Sequence, residues 1–167
     1  MDSKGGNIYR QVRVGKDGKD FRLLKFRTMF VDSDKKGLLT VGTDDSRITK
    51  FGGFLRHYKL DELPQLFNVF IGDMSLVGPR PEVRKYVDLY SKEQLKVLSI
   101  RPGITDYASI EYSSENEILG KTSDPEKVYI NEIMPAKLSL NLKYLQDKNF
   151  ITDVKILFAT VAKVFKF

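Results

Sequence analysis

Two hydrophobic periods divide this sequence. Near the N-terminus, apolar and polar positions roughly alternate from Ile8 to Val14 and from Phe21 to Thr28, the period of strands with one face turned inward. Gly15-Lys16-Asp17-Gly18 lies between them, and its glycines supply the backbone freedom of a hairpin turn. Residues 31–47 lose any period and read as a polar loop containing Gly37, Gly42 and the pair Asp44-Asp45. Helical spacing then takes over. A short helix is expected from Gly53 to Lys59, and a second beginning near Pro64 with Leu63, Leu66, Phe67 and Phe70 on one side. Pro81 opens a third through Val83, Tyr86, Val87 and Tyr90 to Leu98, closed by Pro102-Gly103. Residues 104–112 read as a strand or extended segment. Asp124-Pro125-Glu126 has the cap and first-turn proline of another helix, which Pro135 interrupts.

The last element spans residues 151–167. Ile151, Val154, Leu157, Phe158, Val161, Val164 and Phe165 share one broad face, opposite Lys155, Lys163 and Lys166 with the small Ala159 and Ala162. Such a helix suits a membrane interface, although packing on a core would require the same pattern. The elements together predict an α+β class: a helix-rich compact domain with an N-terminal β-hairpin and a C-terminal amphipathic helix. No internal repeat or low-complexity linker divides it. At 167 residues and 41% hydrophobic content, residues 1–167 fit one domain with a single respectable core.

Composition narrows the chemistry. There is no cysteine, and His57 is the single histidine. Disulfides, thiol nucleophiles and thiolate or histidine-rich zinc sites are thereby excluded. Any metal would rest on Asp and Glu, which favours Mg²⁺ or Mn²⁺. The net charge of +6 is lopsided: residues 1–60 carry 14 Lys/Arg against 7 Asp/Glu, and residues 61–167 carry 14 against 15. The basic surplus therefore precedes residue 61, where it can face a polyanion or simply solvent.

The most informative stretch is Asp61-Glu62-Leu63-Pro64-Gln65-Leu66. Proline is comfortable only in the first turn of a helix, so Pro64 sets the two carboxylates at a helix start. Free N–H groups and the positive dipole end meet there, a natural place for anions and metal-bridged phosphates. Taken alone, Asp61 also reads as an ordinary N-cap. Its surroundings weigh against that. Arg56 lies five residues upstream, Lys25-Phe26-Arg27 stands earlier, and rigid turns present Arg80 in Gly78-Pro79-Arg80-Pro81 and Arg101 before Pro102-Gly103. Arginine forks around a carboxylate pair suit a phosphorylated substrate with Mg²⁺. Asp73 after Gly72 reads either as a turn residue or as a further metal ligand.

These strings, from Arg10-Gln11-Val12-Arg13 through Leu60 to Glu82 and on to the C-terminal helix, closely resemble the bacterial sugar transferases. These are the monotopic polyprenyl-phosphate phosphoglycosyl transferases. The resemblance implies an enzyme that moves a sugar-1-phosphate from a UDP-sugar to polyprenyl (undecaprenyl) phosphate, releasing UMP and initiating surface glycan assembly at the cytoplasmic face of the inner membrane. It implies Asp61 as nucleophile through an aspartyl–phosphosugar intermediate. Glu62 would ligate metal or assist the second step, so Asp61 and Glu62 are both candidate metal ligands. Arg80 is the leading phosphate clamp and Arg56 the next, with Lys25 and Arg27 as further phosphate or headgroup contacts; His57 is expected to be structural or interfacial. Where many family members carry an arginine after the Pro-Gly-Ile-Thr element, this sequence has Ser113. Residues 106–113 are accordingly expected to set sugar choice, with Glu111, Glu115, Asn116 and Glu117 meeting sugar hydroxyls or amides.

The family also carries a hydrophobic N-terminal membrane segment, which would normally end about where this sequence opens at Met1-Asp2-Ser3-Lys4-Gly5. No run of about eighteen apolar residues occurs in it. An alternative of another class is a catalytically silent membrane-surface or polyanion-binding module on the same scaffold. Nucleic acid is not an expected partner, since no basic–aromatic platform extends beyond Tyr9, Phe21 and Phe26. Oligomeric state leaves no trace in the sequence.

Overall fold

The hairpin forms as its alternation predicts. In the computed structural model, which describes residues 5–33, 37, 39–42 and 45–164, β1 (Ile8–Val14) pairs antiparallel with β2 (Asp20–Phe26), in register from Ile8↔Phe26 to Val14↔Asp20. The turn is a 3₁₀ turn over Lys16–Gly18 in which Asp17 and Gly18 both take positive φ, 56° and 73°. The strand face carrying Tyr9, Gln11 and Arg13 is half-buried, and the far end of β1 is pinned by Val14 N–H donating to the Glu82 carbonyl at 2.9 Å.

α1 (Lys50–His57) starts three residues before the expected Gly53 because Thr49 caps it, its hydroxyl accepting from Gly52 N–H at 2.9 Å. Gly52 is required there: a Cβ would sit 2.0 Å from the Thr28 carbonyl oxygen, so only glycine lets α1 close onto the segment after β2. Lys59, left-handed at φ 56°, ends this stretch and starts a 3₁₀ turn over Leu60–Glu62. Pro64 then leads directly into α2 (Gln65–Phe70). The helix start predicted from Pro64 is therefore present, with the carboxylate pair in the tight turn just ahead of it. Asn68 fastens α2 to the hairpin, its amide donating to the Arg22 carbonyl at 2.9 Å and accepting from Leu24 N–H at 3.0 Å.

β3 (Ser75–Val77) runs parallel to β4 (Gly103–Thr105). Gly78 and Gly103 meet backbone to backbone, a Cβ on Gly103 falling 2.1 Å from Gly78 N. The single helix expected from Pro81 to Leu98 does not form. Glu82 is held extended against Val14, α3 is only Arg84–Val87, and a separate 3₁₀ helix spans Gln94–Ser99. The break has a local cause: Ser91 and Gln94 form a reciprocal cap, Gln94 N–H donating to the Ser91 hydroxyl at 3.3 Å and Ser91 N–H to the Gln94 side chain at 2.8 Å. Residues 104–112 are also not one extended segment. Asp106 stops the strand and caps α4 (Tyr107–Glu111), accepting from Ser109 N–H at 2.6 Å.

α5 (Glu115–Gly120) precedes α6 (Pro125–Val128), capped by Asp124 as its sequence predicts. α6 runs through a π-helical turn at Tyr129–Ile133 into α7 (Met134–Asp147). Pro135 interrupts the helix only locally, since widening the preceding turn accommodates its missing N–H. α8 (Phe150–Val164) follows, starting one residue before the predicted 151–167 helix; Phe165 to Phe167 lie outside the described residues. The larger core cluster joins Tyr86, Val97, Leu119, Tyr129, Met134 and Leu138; a smaller one joins Val77, Tyr144 and Ile156, which seats α8 on α7. Two two-stranded sheets and eight α-helices among the described residues place the chain in the α+β class.

Candidate active site

The Leu60–Glu62 turn points its carboxylates into a cleft of about 1260 Å³. β1, β2 and α1 line it together with Arg80, Pro81 and Glu82, and so do α4, α5, α7 and the end of α8. Glu62 is the anchored member of the pair. Its carboxylate accepts from both terminal nitrogens of Arg80, one at 3.1 Å and the other in a shorter contact, and from Lys25 Nζ at 3.2 Å. Burial alone would raise the Glu62 pKa, but the charges of Arg80 and Lys25 outweigh it and hold the group well below the usual carboxylate range. Arg80 is correspondingly raised by Glu62. The Arg80 fork is fixed twice more: Nη1 donates to the Ile104 carbonyl at 3.3 Å, and its backbone N–H donates to the buried Asp106 at 3.1 Å.

Asp61 differs from its neighbour. It is 8% exposed, and no hydrogen bond or ion pair reaches its carboxylate among the described residues. It does not cap α2, whose start carries no side-chain cap. Burial, then repulsion from Glu62, pushes its pKa up against the opposing pull of Lys25, Arg56 and Arg80. The result is a largely buried carboxylate of raised basicity that faces cations without bonding to them. Those are the properties of an available nucleophile. Lys25, by contrast, is lowered chiefly by burial.

Arg56 lies at the same mouth, its Nε donating to the Thr28 hydroxyl at 2.8 Å and Nη1 to the Thr40 hydroxyl at 3.2 Å. Of the residues named from sequence, Asp61, Glu62, Lys25, Arg56 and Arg80 thus come together. Arg27 also lines the cleft and donates to the Gly5 carbonyl at 3.2 Å. His57 lines it too, edge-on to Tyr58 at 4.7 Å. Glu111 is exposed at the end of α4 and is not among the residues that line the cleft. Ser113, Glu115, Asn116 and Glu117 do line it. Asp73 takes the turn role, accepting from the Asn68 amide at 3.5 Å after Gly72 at φ 89°.

Sequence reasoning missed Arg13, Glu82 and Tyr129. Arg13 donates to Glu82 Oε1 at 2.9 Å, and the Tyr129 hydroxyl donates to Glu82 Oε2. The available signal was Gln11 and Arg13 occupying alternate, inward positions of a strand where apolar residues belong.

A divalent cation was expected on Asp61 and Glu62. Both Glu62 oxygens are engaged by Arg80 and Lys25, and no group of three or more acidic or histidine side chains among the described residues is arranged to hold a metal. Asp61 remains the open acidic ligand of the pair, which fits a Mg²⁺ carried mainly by substrate phosphates and water.

The mouth is bordered by apolar surface. Phe51 and Phe54 of α1 and Tyr58 just after it are 51–62% exposed, and Leu66, Phe67 and Phe70 of α2 are 50–84% exposed. Leu63 and Leu66 lie both on this patch and in the cleft wall. α8 exposes Phe150, Ile151, Phe158 and Val161. No helix among the described residues is long and apolar enough to cross a membrane.

The bacterial sugar transferase family model matches residues 1–167, and the chain belongs to that family. Among its relatives, the sugar transferase EpsL of Bacillus subtilis (strain 168), itself uncharacterized, is 41% identical over 94% of this chain and 69% of its own length. The UDP-glucose:undecaprenyl-phosphate glucose-1-phosphate transferase of Klebsiella pneumoniae is 41% identical over 98% of this chain but 33% of its own length. The UDP-N-acetylgalactosamine-undecaprenyl-phosphate N-acetylgalactosaminephosphotransferase of Aeromonas hydrophila is 35% identical, over 98% and 36% respectively. The chain therefore spans most of the first relative and about a third of the other two.

Proposed function

We propose that this protein transfers a sugar-1-phosphate from a UDP-sugar to a polyprenyl phosphate, releasing UMP. The reaction is that named for its Klebsiella and Aeromonas relatives. The observation that carries the reading is the contrast within one dipeptide: Glu62 neutralised by Arg80 and Lys25, and Asp61 beside it largely buried and unbonded.

In the first step an Asp61 carboxylate oxygen attacks the sugar-bearing phosphorus. The P–O bond to the bridging oxygen breaks, and UMP departs with that oxygen. In the second, an oxygen of polyprenyl phosphate attacks the same phosphorus and expels the Asp61 carboxylate, leaving a polyprenyl diphosphosugar. An anion attacking an anion needs its repulsion screened, and Arg80, Arg56 and Lys25 supply fixed positive charge in a site of low dielectric. Glu62 holds the Arg80 fork in place before substrate arrives, so little reorganisation remains for the reacting state. When bound, Mg²⁺ adds charge neutralisation on the phosphate oxygens, with Asp61 as its available protein ligand.

Two steps at one carboxylate let a soluble donor and a lipid acceptor use the site in turn. The exposed aromatic faces of α1 and α2 border the mouth and suit a membrane interface, bringing the lipid phosphate to the level of Asp61. The face would be the cytoplasmic one, where UDP-sugars reside, at the first membrane step of surface glycan assembly.

The test is UMP release from a panel of UDP-sugars with Mg²⁺ and undecaprenyl phosphate in detergent, wild type beside Asp61→Asn. Release by wild type and loss in the variant supports the reading. Equal release by both would remove Asp61 from the mechanism. Silence from wild type, even with a relative's N-terminal segment fused ahead of Gly5, would favour a polyanion-binding module.

A further inference from the structure

The cleft does not end at the charged mouth. Lys25 of β2, ion-paired to Glu62, leads to Arg13 of β1 on the same face of the hairpin, and Arg13 to Glu82, which Tyr129 also bonds. Beyond Tyr129, Lys137 Nζ lies 5.5 Å from the centre of its ring and bonds Glu115 at 2.7 Å. One helical turn further along α7 stands Asn141, 6% exposed and lining the cleft, with no hydrogen bond to its buried Oδ1. Asn141 Oδ1 is one of three buried side-chain polar atoms without a partner among the described residues, with Gln65 Nε2 and Ser109 Oγ, and it is free to accept a hydrogen bond from a ligand in the cleft.

Charge separates the two ends. At the mouth, Lys25, Arg56 and Arg80 outnumber Asp61 and Glu62. At the inner end, Arg13 is neutralised by Glu82 and Lys137 by Glu115. The mouth thus suits a diphosphate and the inner end a neutral polar group. A nucleobase would want an open aromatic face to stack on. The Tyr129 ring already has the Lys137 ammonium over it and Tyr86 packed against it at 4.9 Å between centres, and Tyr90 and Tyr112, which also line the cleft, pack against the core cluster. Separate carboxylate, ammonium and amide groups instead match the spaced hydroxyl or acetamido groups of a pyranose.

Resting on the reaction proposed above, we infer that Asn141, with the Glu115–Lys137 pair, reads the sugar of the UDP-sugar donor and so determines donor specificity. The specificity wall is then built by α5 and α7, with Glu111 taking no part.

The experiment compares kcat/KM for UDP-glucose against UDP-galactose, and for the two N-acetylated counterparts, in wild type, Asn141→Leu and Lys137→Met. UDP affinity, measured by calorimetry, serves as a readout that lacks the transferred sugar. A polar site that loses one hydrogen bond to a discriminating hydroxyl loses roughly tenfold in preference. The expected result is a collapse of at least about tenfold in the ratio within one donor pair, with UDP affinity within about twofold of wild type. Donors falling together with their ratios intact, or UDP affinity falling in parallel, would overturn the inference and leave the reaction standing. Wild type releasing UMP from no donor would overturn the reaction itself, and the inference with it.

Discussion

Replacing Glu62 by glutamine separates the structural work of the carboxylate pair from its chemical work. The variant keeps the size of the side chain and removes the charge that joins Lys25 to Arg80. At 3.2 Å, Lys25 and Glu62 attract each other by about 5 kcal/mol at an effective dielectric of 20, and Arg80 adds a two-pronged contact. Desolvation cancels much of that. Breaking a buried pair from one side nevertheless costs about 3–5 kcal/mol, because the remaining cations lose their counter-charge. These side chains retain 20–32% exposure, which places the cost near the lower figure, about 3 kcal/mol. That is a large share of the roughly 5–15 kcal/mol holding a domain together. Urea unfolding followed by circular dichroism at several pH values measures it. The sign follows from the depressed Glu62 pKa: its stabilisation is present above the ordinary glutamate value of 4.5 and drains away as pH falls below it. The gap between wild type and Glu62→Gln should therefore be widest at neutral pH and narrow in acid. A variant within about 0.5 kcal/mol of wild type at pH 7, or a gap unchanged down to about pH 3, would refute the reasoning.

The acid limb of UMP release should lie above the ordinary aspartate value of 3.8, since burial and Glu62 raise Asp61, and Glu62→Gln should shift that limb to lower pH in a kcat/KM profile. Arg80→Lys preserves the charge but not the fork held between Glu62 and Ile104; kcat/KM should fall about 100-fold, with a smaller stability loss than Glu62→Gln. Gly52→Ala forces a Cβ onto the Thr28 carbonyl and should cost about 2–3 kcal/mol in thermal or urea unfolding, carrying Arg56 away from Thr28. Phe67→Ser with Phe70→Ser, at positions 56% and 84% exposed, should leave the melting temperature unchanged and cut sedimentation with anionic vesicles by about tenfold or more.

Local chemistry was legible in the sequence. Pro64 located a helix start, Asp124-Pro125 another, alternation the hairpin, and apolar spacing the helix now seen as α8. The misread segments share a cause. Val83 to Leu98 has a continuous helical period, yet the Ser91–Gln94 cap and the pairing of Glu82 with Val14 divide it, and periodicity carries neither signal. The same holds at the site. Asp61, Glu62 and the arginines in Gly/Pro turns stand out because their neighbours are distinctive. Arg13 meets Glu82 across 69 residues, and Asn141 acquires meaning only when α7 lies along the cleft. Residues 104–112 were misread for the converse reason: an Asp106 cap converts an expected extended segment into a helix that ends at an exposed Glu111.

The central claim is that Asp61 carries the sugar phosphate. Intact mass spectrometry of the protein mixed with a turned-over UDP-sugar, without lipid acceptor, tests it most directly. A species heavier by one sugar phosphoryl group should form on wild type, be absent from Asp61→Asn, and vanish when polyprenyl phosphate is added. UMP release that proceeds at full rate with no such adduct, or an adduct that persists on Asp61→Asn, would contradict it.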